Sequence, residues 1–312
     1  GIHMERALII IGIILCCIFI AILLLSFVIF CLAFLRSNYL EQKTFVFEKL
    51  KPYQQQIAAG IKWFLAQDYQ NVSLKSFDNL TLVGKFLKNP AAVGTIILMH
   101  GHRGSSLRDF SSIFEFYYNL GYNILIPDQR AHGKSQGKFI TWGIKEKHDC
   151  LAWINYINKE LDDTLPIFLD GISMGASTVL MTLGLTLPRN VKGVIADCGF
   201  TSPYQLIKKI LNSLFFPPFT VLFLVNFYAR VFIGIDIRET TIEALKNGKI
   251  PVLFIHGADD KLIPSWMSVD NFNSYSNKKE LYIIDNADHG MSYLVEQEKC
   301  NILLTKFLKK YH

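Results

Sequence analysis

Gly171-Ile172-Ser173-Met174-Gly175 fits the pattern G-x-S-x-G. The stretch follows an apolar, strand-like run at 165–170 and precedes a run of small and apolar residues at 176–181 that suits a helix. In such a strand–turn–helix context the serine lies on a sharp turn with its hydroxyl exposed, where it can act as a nucleophile. Glycine two positions before and after the serine removes side chains that would collide at the turn. The sequence therefore predicts that Ser173 is a nucleophile.

A nucleophilic serine needs a base to take its proton and an acid to orient that base. Asp259 and Asp260 follow an apolar run, so both lie near the carboxyl end of a predicted strand, where ligands bind in parallel sheets. His289 follows the last apolar run and is the candidate base. A lone histidine is more often an ordinary surface or core residue, but here it completes the order serine, acid, histidine. That order favours a catalytic role for His289, with either aspartate as the acid.

The His-Gly pair at 100–101 ends the first buried apolar run and opens a loop. Backbone N–H groups in a loop at this place bind the oxyanion that forms during acyl transfer. We expect the donors to be the backbone N–H groups of His102 and Met174. Arg103 either contacts an anionic group of the substrate or is a solvated loop residue, and we favour the solvated residue.

Apolar runs of strand length alternate with helix-compatible stretches from residue 95 onward. The runs suit strands buried on both faces and lie at 95–99, 123–127, 166–170, 191–197, 251–255 and 281–284. One helix is expected from about residue 109 to 120. Two runs of alternating polarity, 72–77 and 80–87, predict an antiparallel hairpin with one solvated face. The pattern indicates an α/β fold with a mostly parallel sheet flanked by helices.

The N-terminal segment is apolar and uncharged from residue 7 to 35, which exceeds the ~20 residues that cross a bilayer. We expect a single transmembrane anchor in the cell membrane. Residues 1–6 are interpreted as a tag remnant and the native N-terminus, and residues 36–70 as a juxtamembrane linker or helix.

The charges around this anchor leave its orientation open. Arg6 precedes the anchor, whereas Arg36, Lys43, Lys49 and Lys51 follow it. The bias favours a cytoplasmic catalytic domain, but large domains cross a membrane largely regardless of charge. The side of the membrane on which the domain lies is therefore undecided.

Residues 199–248 interrupt the alternation of strands and helices, and the part at 214–233 is rich in Phe, Leu and Val. Hydropathy alone would allow a second transmembrane span there. A single crossing would place Ser173 and His289 on opposite sides of the bilayer. We therefore predict a helical cap over the pocket, apolar enough to contact acyl chains or the membrane surface. The alternative is a plain pair of buried helices.

Composition excludes several other classes of function. The net charge of +6 comes from dispersed Lys and Arg without a dense basic run, so no nucleic-acid partner is expected. Three of the six cysteines lie in the apolar N-terminal segment, and Cys150, Cys198 and Cys300 are scattered. The sequence shows neither a disulfide framework nor metal-ligand spacing, and we expect no metal and no cofactor. It gives no indication of the oligomeric state.

Together these motifs resemble the α/β-hydrolase superfamily, most closely its membrane-anchored bacterial branch related to serine aminopeptidases (S33) and prolyl-oligopeptidase-type esterases. The resemblance covers the chain from about residue 70 to the end, which implies an α/β-hydrolase domain at 71–312 with the cap as an insertion. Residues 128–135 are similar to the family pattern D-x-R-G-H-G-x-S, with Ala131 where glycine is usual. The family's acid loop, H-G-x-x-D-x-x-[VI]-P, implies that the acid is Asp260.

The resemblance implies a serine hydrolase with Ser173, Asp260 and His289 as its triad. Because the anchor and the cap are apolar, we expect a carboxylic ester hydrolase, lipase-like, that acts on hydrophobic or lipid-like acyl esters.

A peptidase or amidase of the serine aminopeptidase type is the alternative, since the same triad cleaves amides. Such an enzyme needs acidic residues in its cap to bind a peptide amine. The charges of the cap, Lys208, Lys209, Arg230 and Asp236, offer no acidic cluster. A third alternative is a non-catalytic binding protein at the membrane, but proteins of that kind tend to lose a member of the triad.

Overall fold

The structure is a computed structural model that describes residues 2–36, 48–160, 164–214 and 218–312. Residues 37–47 of the predicted linker lie outside the described residues. The strands are β1 (Tyr69–Lys75), β2 (Thr81–Leu87), β3 (Gly94–Met99), β4 (Tyr122–Asp128), β5 (Ile167–Ile172), β6 (Val191–Asp197), β7 (Val252–Gly257) and β8 (Lys279–Ile284). The α-helices are α1 (Ile2–Phe34), α2 (Gln54–Leu65), α3 (Ser106–Asp109), α4 (Phe114–Asn119), α5 (Glu146–Glu160), α6 (Met174–Thr182), α7 (Pro203–Ser213), α8 (Pro218–Phe232), α9 (Thr241–Leu245), α10 (Trp266–Ser274), α11 (Ser292–Val295) and α12 (Gln297–Tyr311), and a 3₁₀ helix covers Glu48–Tyr53.

The eight strands form one sheet in the order β1-β2-β4-β3-β5-β6-β7-β8. The strands β1 and β2 pair antiparallel with each other, which confirms the predicted hairpin, and β2 pairs antiparallel with β4. All other neighbours are parallel. The predicted α/β architecture is therefore confirmed, and the carboxyl ends of the parallel strands meet at one edge of the sheet.

Helices cover both faces of the sheet, so a central strand such as β3 is buried along its whole length. Side chains of α5 and α6, among them Trp153 and Val179, fill the core on one face. Side chains of α2, α4 and α12, among them Phe64 and Phe307, fill the core on the other. This packing holds the strand ends in fixed positions, and the candidate site is built on those ends.

Of the helix expected from residue 109 to 120, only residues 114–119 are helical, as α4. Residues 110–113 form a turn that separates α4 from the short helix α3, which ends at Asp109. Periodicity missed this break because its cause is a distant contact. The backbone of Ser111 lies directly against α2, where a Cβ added to Gly60 would come within 1.9 Å of the Ser111 carbonyl oxygen. Tertiary packing thus overrides the local helical pattern.

The helix α1 is 33 residues long and rises about 50 Å, against ~30 Å for the hydrocarbon core of a bilayer. Its most apolar window has a mean hydropathy of 3.6 and is fully exposed. By length and composition α1 suits a membrane span, and a signal sequence near an N-terminus meets the same criteria. The C-terminal end is different, because Phe30 and Phe34 are buried, at 2% and 0% exposure.

The described residues of the predicted cap form α7, α8 and α9. The helix α8 packs alongside the second half of α1, where the Tyr228 hydroxyl donates to the Leu23 carbonyl oxygen at 3.2 Å. The ring of Phe27 lies edge-on to Tyr228, with 5.4 Å between centroids. Phe30 and Phe34 share one apolar core with Met174, the residue after the predicted nucleophile. The cap, the end of α1 and the start of α6 are thus one packed unit.

Candidate active site

Ser173 lies on the turn between β5 and α6 with a φ of +59°, a conformation that residues other than glycine rarely adopt. The two flanking glycines are required by close backbone contacts. A Cβ on Gly175 would come within 1.8 Å of the Met99 carbonyl oxygen, and one on Gly171 within 2.3 Å of the Gly175 carbonyl oxygen. The structure thus gives the G-x-S-x-G pattern the strained turn that the sequence predicts.

Ser173, His289 and Asp260 form a continuous chain of hydrogen bonds. The Ser173 hydroxyl lies 2.9 Å from His289 Nε2, and His289 Nδ1 lies 2.7 Å from Asp260 Oδ2. With its N–H on Nδ1 the imidazole donates to the carboxylate and leaves Nε2 free to accept from the hydroxyl. The arrangement is that of a nucleophile, a base and an orienting acid.

The environment of Asp260 distinguishes it from Asp259, which is exposed. Asp260 Oδ1 accepts from the backbone N–H groups of Leu262 and Ile263, at 2.9 and 2.8 Å. Burial opposes ionisation of Asp260, but hydrogen bonds from His256 and His289 outweigh it and lower the pKa of the carboxyl below its usual range. Of the two aspartates left open by strand position, the structure places Asp260 against the histidine.

His256 is a supporting residue to which the sequence reasoning gave no role. Its Nε2 lies 2.8 Å from the Ile263 carbonyl oxygen and 3.2 Å from Asp260 Oδ2, and its Nδ1 lies 2.6 Å from the Ser268 hydroxyl. The imidazole therefore ties the acid loop to α10 and fixes the carboxylate. The sequence signal that could have identified this role is the His-Gly pair at the end of β7, which belongs to the acid-loop pattern.

The two predicted oxyanion donors belong to two different segments that meet at Ser173. Met174 is the first residue of α6, and the first N–H groups of a helix have no partner within the helix. His102 follows Gly101, and a Cβ on Gly101 would lie 3.4 Å from the Cβ of Ser173. The loop after β3 therefore packs directly against the turn that carries the serine.

The prediction that Arg103 is a solvated loop residue is wrong. Its guanidinium Nη2 donates to the carbonyl oxygen of Leu32, in the last turn of α1, at 2.6 Å. The backbone N–H of Arg103 donates to His132 Nε2 at 2.9 Å. No sequence motif links these positions, because Arg103 and Leu32 lie 71 positions apart in the chain.

A mainly apolar cavity of about 310 Å³ opens beside Ser173 and His289. Its volume is at the lower end of the range for small-molecule sites. The apolar part of its wall comes from the turn between α3 and α4, the cap, β7 and α12, with Phe110, Ile113, Leu206, Ile210, Ile255 and Leu304. Such a wall suits a hydrophobic group on the substrate.

Two buried carboxyls, Asp170 and Asp197, also line the cavity. Burial raises the pKa of Asp170 to about 7, although a 2.6 Å hydrogen bond from the Tyr117 hydroxyl opposes the shift. Burial also raises the pKa of Asp197 to about 6, and Ser292 donates to this carboxyl at 3.0 Å. Both groups therefore hold a proton at higher pH than an exposed aspartate does.

Among the described residues, one group of side chains has the spacing of metal ligands. The candidate ligand atoms of Cys198, Asp260 and His289 lie within 4.8 Å of one another. Burial raises the pKa of the Cys198 thiol well above its usual value, so the sulfur is not the thiolate that a metal prefers. Both ring nitrogens of His289 are also engaged, with Ser173 and Asp260. The group is better described as part of the hydrogen-bonded site.

A mostly parallel sheet with a strained Ser turn after β5 and a histidine after the last strand defines an α/β hydrolase. Comparison with known proteins agrees. The sequence profile of the serine aminopeptidase family, S33, matches residues 90–239. The uncharacterized protein YqkD of Bacillus subtilis (strain 168) is 30% identical over 216 residues, which are 69% of this chain and 70% of YqkD. The chain therefore belongs to the α/β-hydrolase family that this profile and this relative represent.

Two further proteins illustrate the range of the family. The structure of the Pyrococcus furiosus esterase Pf2001 aligns with a TM-score of 0.65 and 26% identity, covering 80% of this chain and 95% of the esterase. The lysophosphatidylserine lipase ABHD12 of Danio rerio is 23% identical over 197 residues, 60% of this chain and 48% of the lipase. The similarity to an esterase and a lipase supports a hydrolase.

Proposed function

We propose that the protein is a membrane-anchored serine hydrolase that cleaves carboxylic esters with hydrophobic acyl groups. The observation that carries this proposal is the hydrogen-bond chain from Ser173 through His289 to Asp260, beside an apolar cavity. The sequence similarity to an esterase and a lipase supports the choice of reaction.

The proposed reaction begins when Ser173 Oγ attacks the ester carbonyl carbon and its proton passes to His289 Nε2. The Asp260 carboxylate stabilises the resulting imidazolium through Nδ1–H. The backbone N–H groups of Met174 and His102 bind the oxyanion, and each such donor is worth roughly 3 kcal/mol of transition-state stabilisation. The leaving alcohol takes the proton from His289. Water then attacks the acyl-serine carbonyl while His289 accepts its proton. His289 returns that proton to Ser173 Oγ as the bond to the serine breaks, which releases the carboxylic acid and restores the enzyme.

Peptidase activity of the serine aminopeptidase type is the alternative. A peptide amine is an ammonium ion and needs an ionised carboxylate in the pocket. Burial raises the pKa of Asp170 to about 7, so a large share of this carboxyl holds a proton near neutral pH. Asp197, with a pKa raised to about 6, already accepts a hydrogen bond from Ser292 at 3.0 Å. Asp109, which also lines the cavity, is already paired with Arg108 at 2.8 Å. We therefore favour esters over peptides.

We propose that α1 anchors the protein in a membrane and that α8 contacts the same membrane. Phe219, Phe223 and Phe227 lie four residues apart on α8 and are 79%, 67% and 53% exposed. Four-residue spacing places them in one stripe on the helix surface. Since α8 packs along α1, a bilayer crossed by α1 would lie beside this stripe.

The test uses the full chain in detergent micelles, with a fluorophosphonate probe and a series of p-nitrophenyl esters of rising acyl length beside aminoacyl p-nitroanilides. Ser173→Ala should abolish both labelling and turnover. Asp260→Asn should lower kcat by roughly 10⁴, because the histidine loses its orienting partner. The exposed neighbour Asp259→Asn is the matched control and should leave kcat unchanged.

Labelling that persists in Ser173→Ala would show that another residue is the nucleophile. A larger loss of kcat for Asp259→Asn than for Asp260→Asn would show that Asp259, and not Asp260, is the acid. Faster turnover of aminoacyl anilides than of esters would replace the esterase by the peptidase alternative.

A further inference from the structure

The last turn of α1 presents carbonyl oxygens that have no partner within the helix, as the end of any helix does. Three side chains of the catalytic domain donate to them. Arg103 Nη2 donates to the Leu32 oxygen at 2.6 Å, and His102 Nε2 and Trp142 Nε1 donate to the Ala33 oxygen at 3.1 and 3.0 Å. A cation at the C-terminal end of a helix also interacts favourably with the helix dipole. The end of α1 is therefore capped by the domain and not by solvent.

Ring contacts join the same groups. The imidazole of His102 stacks on the indole of Trp142, with 4.1 Å between centroids and 16° between planes. Trp142 also meets Phe34 edge-on, at 6.5 Å between centroids. Phe34 is fully buried, and its carbonyl oxygen accepts from the N–H of Ile140 at 2.7 Å. Phe34 thus supports Trp142, and Trp142 supports His102.

These contacts act on the loop that lies beside the nucleophile. The backbone of Arg103 has a φ of +54°, which is unfavourable for an arginine and persists only when surrounding contacts hold it. His132 holds the loop from the domain side through the Arg103 N–H, at 2.9 Å. The end of α1 holds it from the opposite side through the side chains of His102 and Arg103.

We propose that the end of α1 is a positioning element of the active site, and that Phe34, Trp142 and Arg103 are positioning residues for the backbone N–H of His102. The inference rests on the proposed function, because the place of this N–H matters only if it binds an oxyanion. A displacement of about 1 Å in a catalytic group can lower the rate by roughly 10². The anchor and the chemistry are then inseparable, and cutting the chain after residue 36 removes part of the site.

The closing experiment compares two phenylalanines of α1 in the full chain in detergent. Phe34 is buried against Trp142, whereas Phe19 is 60% exposed on the same helix. The measured quantity is kcat for p-nitrophenyl butyrate per active site, with the sites counted by complete reaction with a fluorophosphonate. Phe34→Ala should lower this kcat by roughly 10- to 100-fold with a smaller change in KM. Phe19→Ala should leave kcat unchanged, and Phe34→Leu, which refills most of the space, should recover most of the loss.

A second test removes a hydrogen bond and leaves the apolar core intact, so it remains informative if Phe34→Ala does not fold. Arg103→Met removes the donor to the Leu32 oxygen and should lower kcat per titrated site. Arg238→Met is the control, because Arg238 is an exposed arginine that pairs with Asp236.

The inference is overturned if Phe34→Ala or Arg103→Met lowers the melting temperature or the titrated fraction but keeps the parent kcat per site, since packing alone would explain that result. Failure of the proposed function looks different. In that case the parent chain itself shows no labelling that depends on Ser173 and no ester turnover.

Discussion

The two sides of the candidate active site are held in place by different kinds of contact. On one side Met174 begins α6, and its position follows from the turn at Ser173, where Gly175 allows the backbone to approach β3 and Gly171 allows the two arms of the turn to meet. On the other side His102 depends on the end of α1, and its ring contacts the Ala33 carbonyl oxygen 69 positions away in the chain. The serine turn is thus fixed by close backbone packing that the glycines of its own motif permit, whereas the loop after β3 is held by side-chain contacts with the end of α1.

Each side of the site is therefore sensitive to a different kind of substitution. The serine turn fails when a neighbouring residue gains a side chain, because only backbone fits between the turn and β3. The loop fails when a residue far along the chain loses a side chain or a hydrogen bond. Substitutions at the serine turn should lower both stability and activity. Substitutions that release the loop after β3 should lower activity before they lower stability.

The largest effect is expected at the serine turn. A Cβ on Gly175 would lie 1.8 Å from the Met99 carbonyl oxygen, and backbone cannot move aside as a flexible side chain can. Gly175→Ala should therefore destabilise the protein by more than about 3 kcal/mol and abolish labelling by a fluorophosphonate. Thermal unfolding and labelling of the full chain in detergent measure both. Gly12→Ala is the control, because no atom lies within 4 Å of the added Cβ on α1. Parent-like stability of Gly175→Ala would refute the steric control of the turn by the backbone of β3.

The same division explains what the sequence could predict. Ser173 and His289 stand in recognisable local motifs, and the apolar runs give the strands in chain order, so the α/β fold and these two residues follow from local patterns. Strand position left Asp259 and Asp260 open, and only the resemblance to the family's acid loop chose Asp260. The pairing of Arg103 with Leu32 has no such pattern, since neither residue belongs to a motif that names its partner. The break between α3 and α4 was missed for the same reason, as it depends on contact with Gly60.

The second prediction uses the opposite pH responses of the two sides. Near the serine turn, burial raises the pKa of Asp170 to about 7, so the folded state binds an extra proton between about pH 4 and 7 and loses stability as pH rises. In the loop after β3, burial, aided by Arg103, lowers the pKa of His102 to about 3. That group contributes stability above about pH 6.5 that is lost as pH falls towards 3. The two slopes oppose each other in the parent.

Asp170→Asn removes one of these slopes and keeps the shape of the side chain, with Tyr117 still able to donate to it. Between pH 4.5 and 6.5 the free energy of unfolding of the variant should rise more steeply than that of the parent, by up to about 1.4 kcal/mol per pH unit. The melting temperature of the variant should therefore also rise more steeply with pH. The exposed Asp259→Asn should follow the parent curve. Parallel curves for Asp170→Asn and the parent would mean that the buried carboxyl does not hold its proton in the folded state.

The smallest effect is the coupling between variants on one side of the site. Phe34→Ala and Arg103→Met both release the loop that carries His102, so either substitution should lower kcat less when the other is already present. In kcat per titrated site, the double variant should lose less than the product of the single losses, with a coupling of about 1 kcal/mol. Phe34→Ala combined with Asp170→Asn draws one change from each side, and the effects of the two substitutions on kcat should combine without coupling. If Phe34→Ala and Arg103→Met multiply as well, they act on different groups, and the end of α1 is not a single support for the loop.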